Sequence, residues 1–167
     1  RTEKLGLFLF PLDAKRRWYR YHHLFRDFLR AQLARLHPDA VPGLYRDASA
    51  WFDRAGLHEE AVNMALDGND FELAAQMVEK FAIGMIKMGH VPQVARWVQR
   101  FPAQVVEQNP RLPLYQCWAV AHMGHVHTAE SLLQQVESAV EQLCEGSDDA
   151  RAVLFAEIHT LRTIVAL

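Results

Sequence analysis

Two kinds of hydrophobic pattern divide the chain. Leu5 to Pro11 and Trp18 to His22 are short aromatic and aliphatic runs that read as two strands, separated by a polar, basic turn at Asp13-Ala14-Lys15-Arg16-Arg17. From there to Leu167 the spacing is helical. Phe25, Phe28, Leu29, Gln32, Leu33 and Leu36 share one helical face, and His37-Pro38 ends it because proline disfavours helix at the residue before it. A second helix is predicted over Val41 to Ala55, with Leu44, Ala48, Trp51, Phe52 and Ala55 facing inward, and Gly56 stops it. Further helices are predicted over Glu59 to Asp67, Phe71 to Met88 (capped by Asn69 or Asp70), Pro92 to Arg100, Pro102 to Gln108, Leu112 to Met123, Thr128 to Cys144, and Asp148 to Leu167. Ser147 followed by Asp148 and Asp149 is a start signal for the last of these.

The turns between helices repeat. Gly56-Leu57-His58-Glu59-Glu60-Ala61, Asn69-Asp70-Phe71-Glu72-Leu73-Ala74 and Gly124-His125-Val126-His127-Thr128-Ala129 each place a turn former five residues before a small residue that opens the next helix. Gly89-His90-Val91-Pro92-Gln93-Val94 is a looser copy. The copies are irregularly spaced, unlike a strict tetratricopeptide array of about 34 residues. They fit degenerate helical hairpins stacked into a solenoid, with a closed bundle as the alternative. The fold class expected is mainly α: an N-terminal β-hairpin followed by antiparallel helical hairpins in a TPR-like, right-handed α-solenoid.

Composition adds bounds. Half of the 167 residues are hydrophobic and 23% are charged, as in an ordinary folded domain. The net charge of -2 hides an asymmetry: Lys15, Arg16, Arg17, Arg20, Arg26, Arg30 and Arg35 face only Asp27 between Lys15 and Arg35, whereas Leu112 to Ala150 contains no Lys or Arg. Cys117 and Cys144 sit in apolar helical stretches and make no disulfide framework, which fits a reducing cytoplasm. No apolar run approaches the roughly 20 residues of a membrane span, and none reads as a signal peptide. The chain opens on Arg1, so it reads as an excerpt of a longer protein.

Candidate chemistry is sparse. His122, His125 and His127 cluster around one turn without the spacing of a metal site, and read as solvated turn residues. Ser131, Cys117 and Cys144 lack a nucleophile motif, and no glycine-rich phosphate loop occurs, so the chain itself is not expected to be an enzyme. Lys15, Arg16 and Arg17 at a hairpin tip suit either solvation or contact with nucleic-acid phosphates. His22, at the strand-to-helix junction, suits either a phosphate contact or a bond pinning the junction.

The segments Leu7-Phe8-Leu9-Phe10-Pro11-Leu12-Asp13, Arg17-Trp18-Tyr19-Arg20-Tyr21-His22-His23-Leu24-Phe25-Arg26-Asp27-Phe28-Leu29, Ala50-Trp51-Phe52 and Gly56-Leu57-His58-Glu59-Glu60-Ala61-Val62 resemble the MalT-type, ATP-dependent large regulators of the LuxR family. The resemblance covers almost the whole chain and is specific over the first 75 or so residues. It implies a winged-helix segment ending near residue 37, a helical arm over 38–104, and the start of a TPR-like repeat region over 105–167. A STAND-type P-loop ATPase module and a C-terminal LuxR-type helix-turn-helix would lie outside. In related STAND ATPases a Met-His-Asp motif in the winged segment contacts the phosphate of bound ADP. Tyr21-His22-His23 resembles that motif, with Tyr in place of Met and His in place of Asp, so only His22 carries over. The implied cofactor is ATP or ADP in the full-length protein, with none in this chain. The implied partners are the ATPase module of the same chain, a small-molecule inducer or regulatory protein on the helical repeats, DNA through a separate domain only, and a further copy by self-association, with no membrane. The alternatives are a generic TPR-like scaffold without nucleotide control and a winged module that binds DNA by itself.

Overall fold

The computed structural model describes residues 8–143 and 148–165. Strands β1 (Leu9–Pro11) and β2 (Tyr19–Tyr21) pair antiparallel, with Phe10 opposite Arg20. Helix α1 (His23–Leu36) follows, then a tight helical turn at Pro38–Ala40 and α2 (Val41–Arg54). After these come α3 (His58–Asp67), α4 (Phe71–Lys87), α5 (Val91–Gln99), α6 (Ala103–Gln108), α7 (Arg111–His122), α8 (Val126–Leu143) and α9 (Asp148–Val165). The protein is mainly α, as its periodicity predicts. The expected strand residues Leu5 to Leu7, the Ser147 cap and Cys144 lie outside the described residues. Among the described residues no helix is long and apolar enough to cross a membrane.

The chain divides into two compact units between Leu44 and Tyr45. The first holds the hairpin and α1. None of the α1 residues is buried, and Leu24 and Phe28 on it are 67% and 54% exposed. The hairpin tip is built by Asp13, whose carboxylate accepts hydrogen bonds from the backbone N–H of Arg17 (2.7 Å) and Trp18 (2.9 Å). An acid therefore organises the turn that the sequence marks as basic.

The second unit stacks helices in order, α3 on α4, α4 on α5, α5 on α7, α7 on α8 and α8 on α9, with α7 also touching α4 and α9. The recurring turn has one geometry in all four copies. Gly56, Asn69, Gly89 and Gly124 take positive φ of 74°, 56°, 84° and 79°. The next residue's N–H reaches back to the carbonyl five residues earlier: Leu57 to Phe52, Asp70 to Ala65, His90 to Met85, His125 to Val120. This is the Schellman closure, which satisfies carbonyls a helix end leaves open. Five residues after each left-handed position stand Ala61, Ala74, Val94 and Ala129, all fully buried. Asp70 is the cap of α4, accepting from Leu73 N–H at 3.2 Å, while Asn69 supplies the left-handed residue.

Two cores result. One joins α3, α4, α5 and one side of α7 through Leu112, Tyr115 and Ala119; the other joins α8, α9 and the opposite side of α7 through Leu114, Cys117 and Val120. Trp118 packs against both. Ion pairs cross between elements at the surface: Arg46 with Asp70 (2.6 Å), Lys80 with Asp53 (3.0 Å), Arg162 with Glu137 (2.7 Å). Such exposed pairs contribute about 0–1 kcal/mol each, so packing rather than charge holds the layers.

The predicted inward face of α2 needs correction. Leu44, Trp51 and Ala55 are exposed, and the buried residue is Ser49. Its hydroxyl donates to the Ala61 carbonyl at 2.8 Å and lies 3.3 Å from Met77 Sδ. α2 meets α3 and α4 through that hydroxyl, and nearby Tyr45 packs on Gly68, where a Cβ would stand 2.6 Å from Tyr45 Cβ.

Nothing lies within 4 Å of a Cβ built on Gly56, Gly89 or Gly124, so substitution there meets only backbone strain. Gly89→Ala and Gly124→Ala are each expected to lose about 1–2 kcal/mol in urea unfolding, whereas Asn69→Gly at the same conformation leaves stability equal or slightly higher. Equal losses for Asn69→Gly and the two alanine variants would contradict the shared geometry. Ser49→Ala is expected to cost about 1 kcal/mol through the lost buried hydrogen bond.

Candidate functional site

Where β2 runs into α1, Phe10, Arg20, Tyr21, His22, His23 and Arg26 line a cleft of about 260 Å³. Strand pairing and helix geometry assemble it. Arg20 and His22 are two apart on an extended segment and so share a side, and His22 and Arg26 are four apart across the first helical turn. His22 is the residue before α1: its N–H donates to the Phe8 carbonyl (2.6 Å) and its carbonyl accepts from Arg26 N–H (2.9 Å). Phe8 turns that carbonyl toward His22 with a φ of 62°, an unusual conformation for a bulky residue. The His22 ring lies 4.3 Å from that of His23 and 6.3 Å from those of Phe8 and Phe10.

The electrostatics favour an anion. No side chain caps the start of α1, and no acid stands in its first turn, so the positive end of the helix dipole opens beside the two imidazoles. Arg26 is held by Asp27 at 2.9 Å, while Arg20 makes no ion pair among the described residues. Five-donor guanidinium groups suit phosphate or carboxylate oxygens. The sequence singles out His22; the structure adds Arg20, His23 and Arg26 as its neighbours. The spacings of two and four around His22 are the signal by which they are legible.

Other candidates disperse. His122, His125 and His127 are all exposed, and His122 Nδ1 lies 2.9 Å from the Trp118 carbonyl. Among the described residues no three His, Cys, Asp or Glu side chains form a metal site. Burial pushes the Cys117 thiol up to about 12, which leaves it protonated and unreactive. Lys15, Arg16 and Arg17 are exposed at the hairpin tip.

A β-wing joined to an amphipathic helix and followed by stacked helical hairpins defines a winged-helix segment with an attached helical array. Residues 1–41 match the MalT winged helix domain and belong to that family. The chain as a whole is related to MalT-type regulators: it is 25% identical over 135 residues (80% of this chain) to the HTH-type transcriptional regulator MalT of Vibrio parahaemolyticus. It is also 32% identical over 163 residues (98% of this chain) to the serine/threonine-protein kinase PknK of Mycobacterium tuberculosis and of Mycobacterium bovis. The chain spans about 15% of the length of each of these relatives. No solved structure matches.

The Asp13 carboxyl is held below its ordinary value of 3.8, chiefly by the Trp18 N–H and further by hydrogen bonds from Arg17. Its folded-state pKa is depressed, so its support of the hairpin tip is complete above 3.8 and is lost as pH falls through the lower folded value. The amide resonances of Arg17 and Trp18 are expected to titrate together with a midpoint below 3.8, and Asp13→Asn removes that titration. A midpoint at or above 3.8 would show the carboxylate free of the turn.

Proposed function

We propose that the chain is the switch and sensor segment of an ATP-dependent, LuxR-type transcriptional regulator that works in the cytoplasm. In this reading residues 1–37 complete a winged-helix segment, 38–104 form an arm, and 105–167 begin a TPR-like, right-handed repeat region. The chain is not itself catalytic. A P-loop ATPase module elsewhere in the same protein holds ATP or ADP, and the exposed apolar residues of the hairpin and α1 pack on it. His22 reads the ADP phosphate and holds the off state. ATP, with an inducer or regulatory protein on the helical layers, releases the wing and permits self-association and promoter binding through a distant helix-turn-helix. Nucleotide and inducer shift that balance only through unequal affinity for the two states.

The observation that carries this reading is the uncapped start of α1, facing a cleft with His22, Arg20 and Arg26, within the stretch that matches the MalT winged helix domain. The mycobacterial relatives support a second reading of the output. Their name is that of a protein kinase, so the same switch segment would there govern an effector that phosphorylates protein instead of one that binds DNA.

In the full-length protein, His22→Ala is expected to release bound ADP at least about fivefold faster, the loss of one charge-assisted hydrogen bond, and to raise basal activation. Unchanged ADP retention with His22→Ala would remove His22 from the nucleotide site.

A further inference from the structure

We propose that the groove between α6, the start of α7 and the outer side of α8 docks an extended peptide segment in which an apolar residue stands beside Lys or Arg. Its deepest part is a cavity of about 210 Å³ walled by Val106, Pro110, Pro113, Leu132 and Val136. Small-ligand pockets begin near roughly 300 Å³, so this one is sized for a single leucine-like or phenylalanine-like side chain. Gln135 and Ala139 join the cavity to a shallow polar basin formed with Ser131, Gln134 and Ser138.

The polar row fits an extended backbone. Ser131, Gln134, Gln135 and Ser138 recur at helical spacing on one side of α8. They span about 10 Å of helix axis, the length of roughly three extended residues. Amide side chains both donate and accept, which matches the alternating N–H and C=O groups of an extended peptide.

Charge selects the occupant. From Phe101 to Ala150 the chain carries seven carboxylates and one cation, Arg111. Arg111 is turned to Glu79 at 3.5 Å, and Glu137 is engaged by Arg162. Glu107, exposed at the edge of the cavity, makes no ion pair among the described residues. An unpaired carboxylate beside a one-side-chain cavity favours a cation next to the apolar anchor and disfavours an acidic partner. The inference narrows the partner of the helical layers to a chemistry, and it stands or falls without His22.

The test is an NMR titration of the isotope-labelled chain with N-acetyl-Gly-Leu-Arg-Gly-amide and, in parallel, N-acetyl-Gly-Leu-Glu-Gly-amide. Amide shifts are expected at Val106 and over residues 131–139, with the arginine peptide bound about fivefold or more tightly, the ratio that one exposed ion pair of about 1 kcal/mol supports. Glu107→Lys is expected to reverse the preference, and Ala139→Trp to remove both interactions. If Ala139→Trp fails to fold, Gln135→Ala, which only trims an exposed amide, is expected to weaken both peptides. Equal affinities, shifts elsewhere, or no shifts at millimolar peptide overturn the proposal. So does a concentration-dependent dimer abolished by Glu107→Lys, because a second copy would then be the occupant.

Discussion

A helical array must reverse its chain without leaving carbonyls unbonded at each helix end, and it must bring the next helix close enough to exclude water. Both demands meet in the left-handed residue at Gly56, Asn69, Gly89 and Gly124. The positive φ folds the following N–H back onto the preceding helix, and the same bend delivers a small residue to the contact five positions later. Ala61, Ala74 and Ala129 lose little side-chain entropy on burial and let backbones approach, so each layer can be sealed by modest apolar area. If those turns opened, the layers would lose both their bonded ends and their spacing.

The second unit spends its largest buried side chains differently. Trp97, Leu112, Leu114, Leu133, Ile158 and Leu161 are almost fully enclosed, and they are distributed over α5, α7, α8 and α9. Helix α7 is apolar on two sides because it serves two cores, which is the expected pattern for a helix enclosed between layers. Burial there also sets the chemistry: Tyr115 is pushed up to about 12 by desolvation and then by the nearby Glu79, so its hydroxyl stays neutral. Cys117 and Tyr115 in the described core are thus held in their neutral forms, and the cleft at His22 and the groove along α8 lie at the surface.

Much of this organisation is legible in the sequence, because the helical periods are regular and the turn formers stand at fixed distance from small residues. The repeated turn is the clearest case: three copies with Gly or Asn and Ala five residues on, and one with Val94, all share one geometry. Periodicity misleads in α2. It ranks Leu44, Trp51 and Ala55 as inward by hydrophobicity, yet those three are exposed and the buried position is Ser49, whose hydroxyl bonds the Ala61 carbonyl. Asp13 is hidden for a different reason, since its role depends on the loop bringing Arg17 and Trp18 N–H groups onto one carboxylate. His22 stands out at the junction, whereas the companionship of Arg20 and Arg26 emerges only when strand and helix geometry are applied together. The groove along α8 is not legible, because its walls come from α6, α7 and α8 and no single stretch displays it.

The double face of α7 has a mechanical meaning. Leu112 and Leu114 are two residues apart, about 200° around the helix axis, so they point in nearly opposite directions into separate cores. A small displacement of α7 toward one core therefore carries one row of side chains deeper and lifts the other. The packing of the two layers is therefore coupled through α7, since neither core can be tightened against it without drawing side chains from the other.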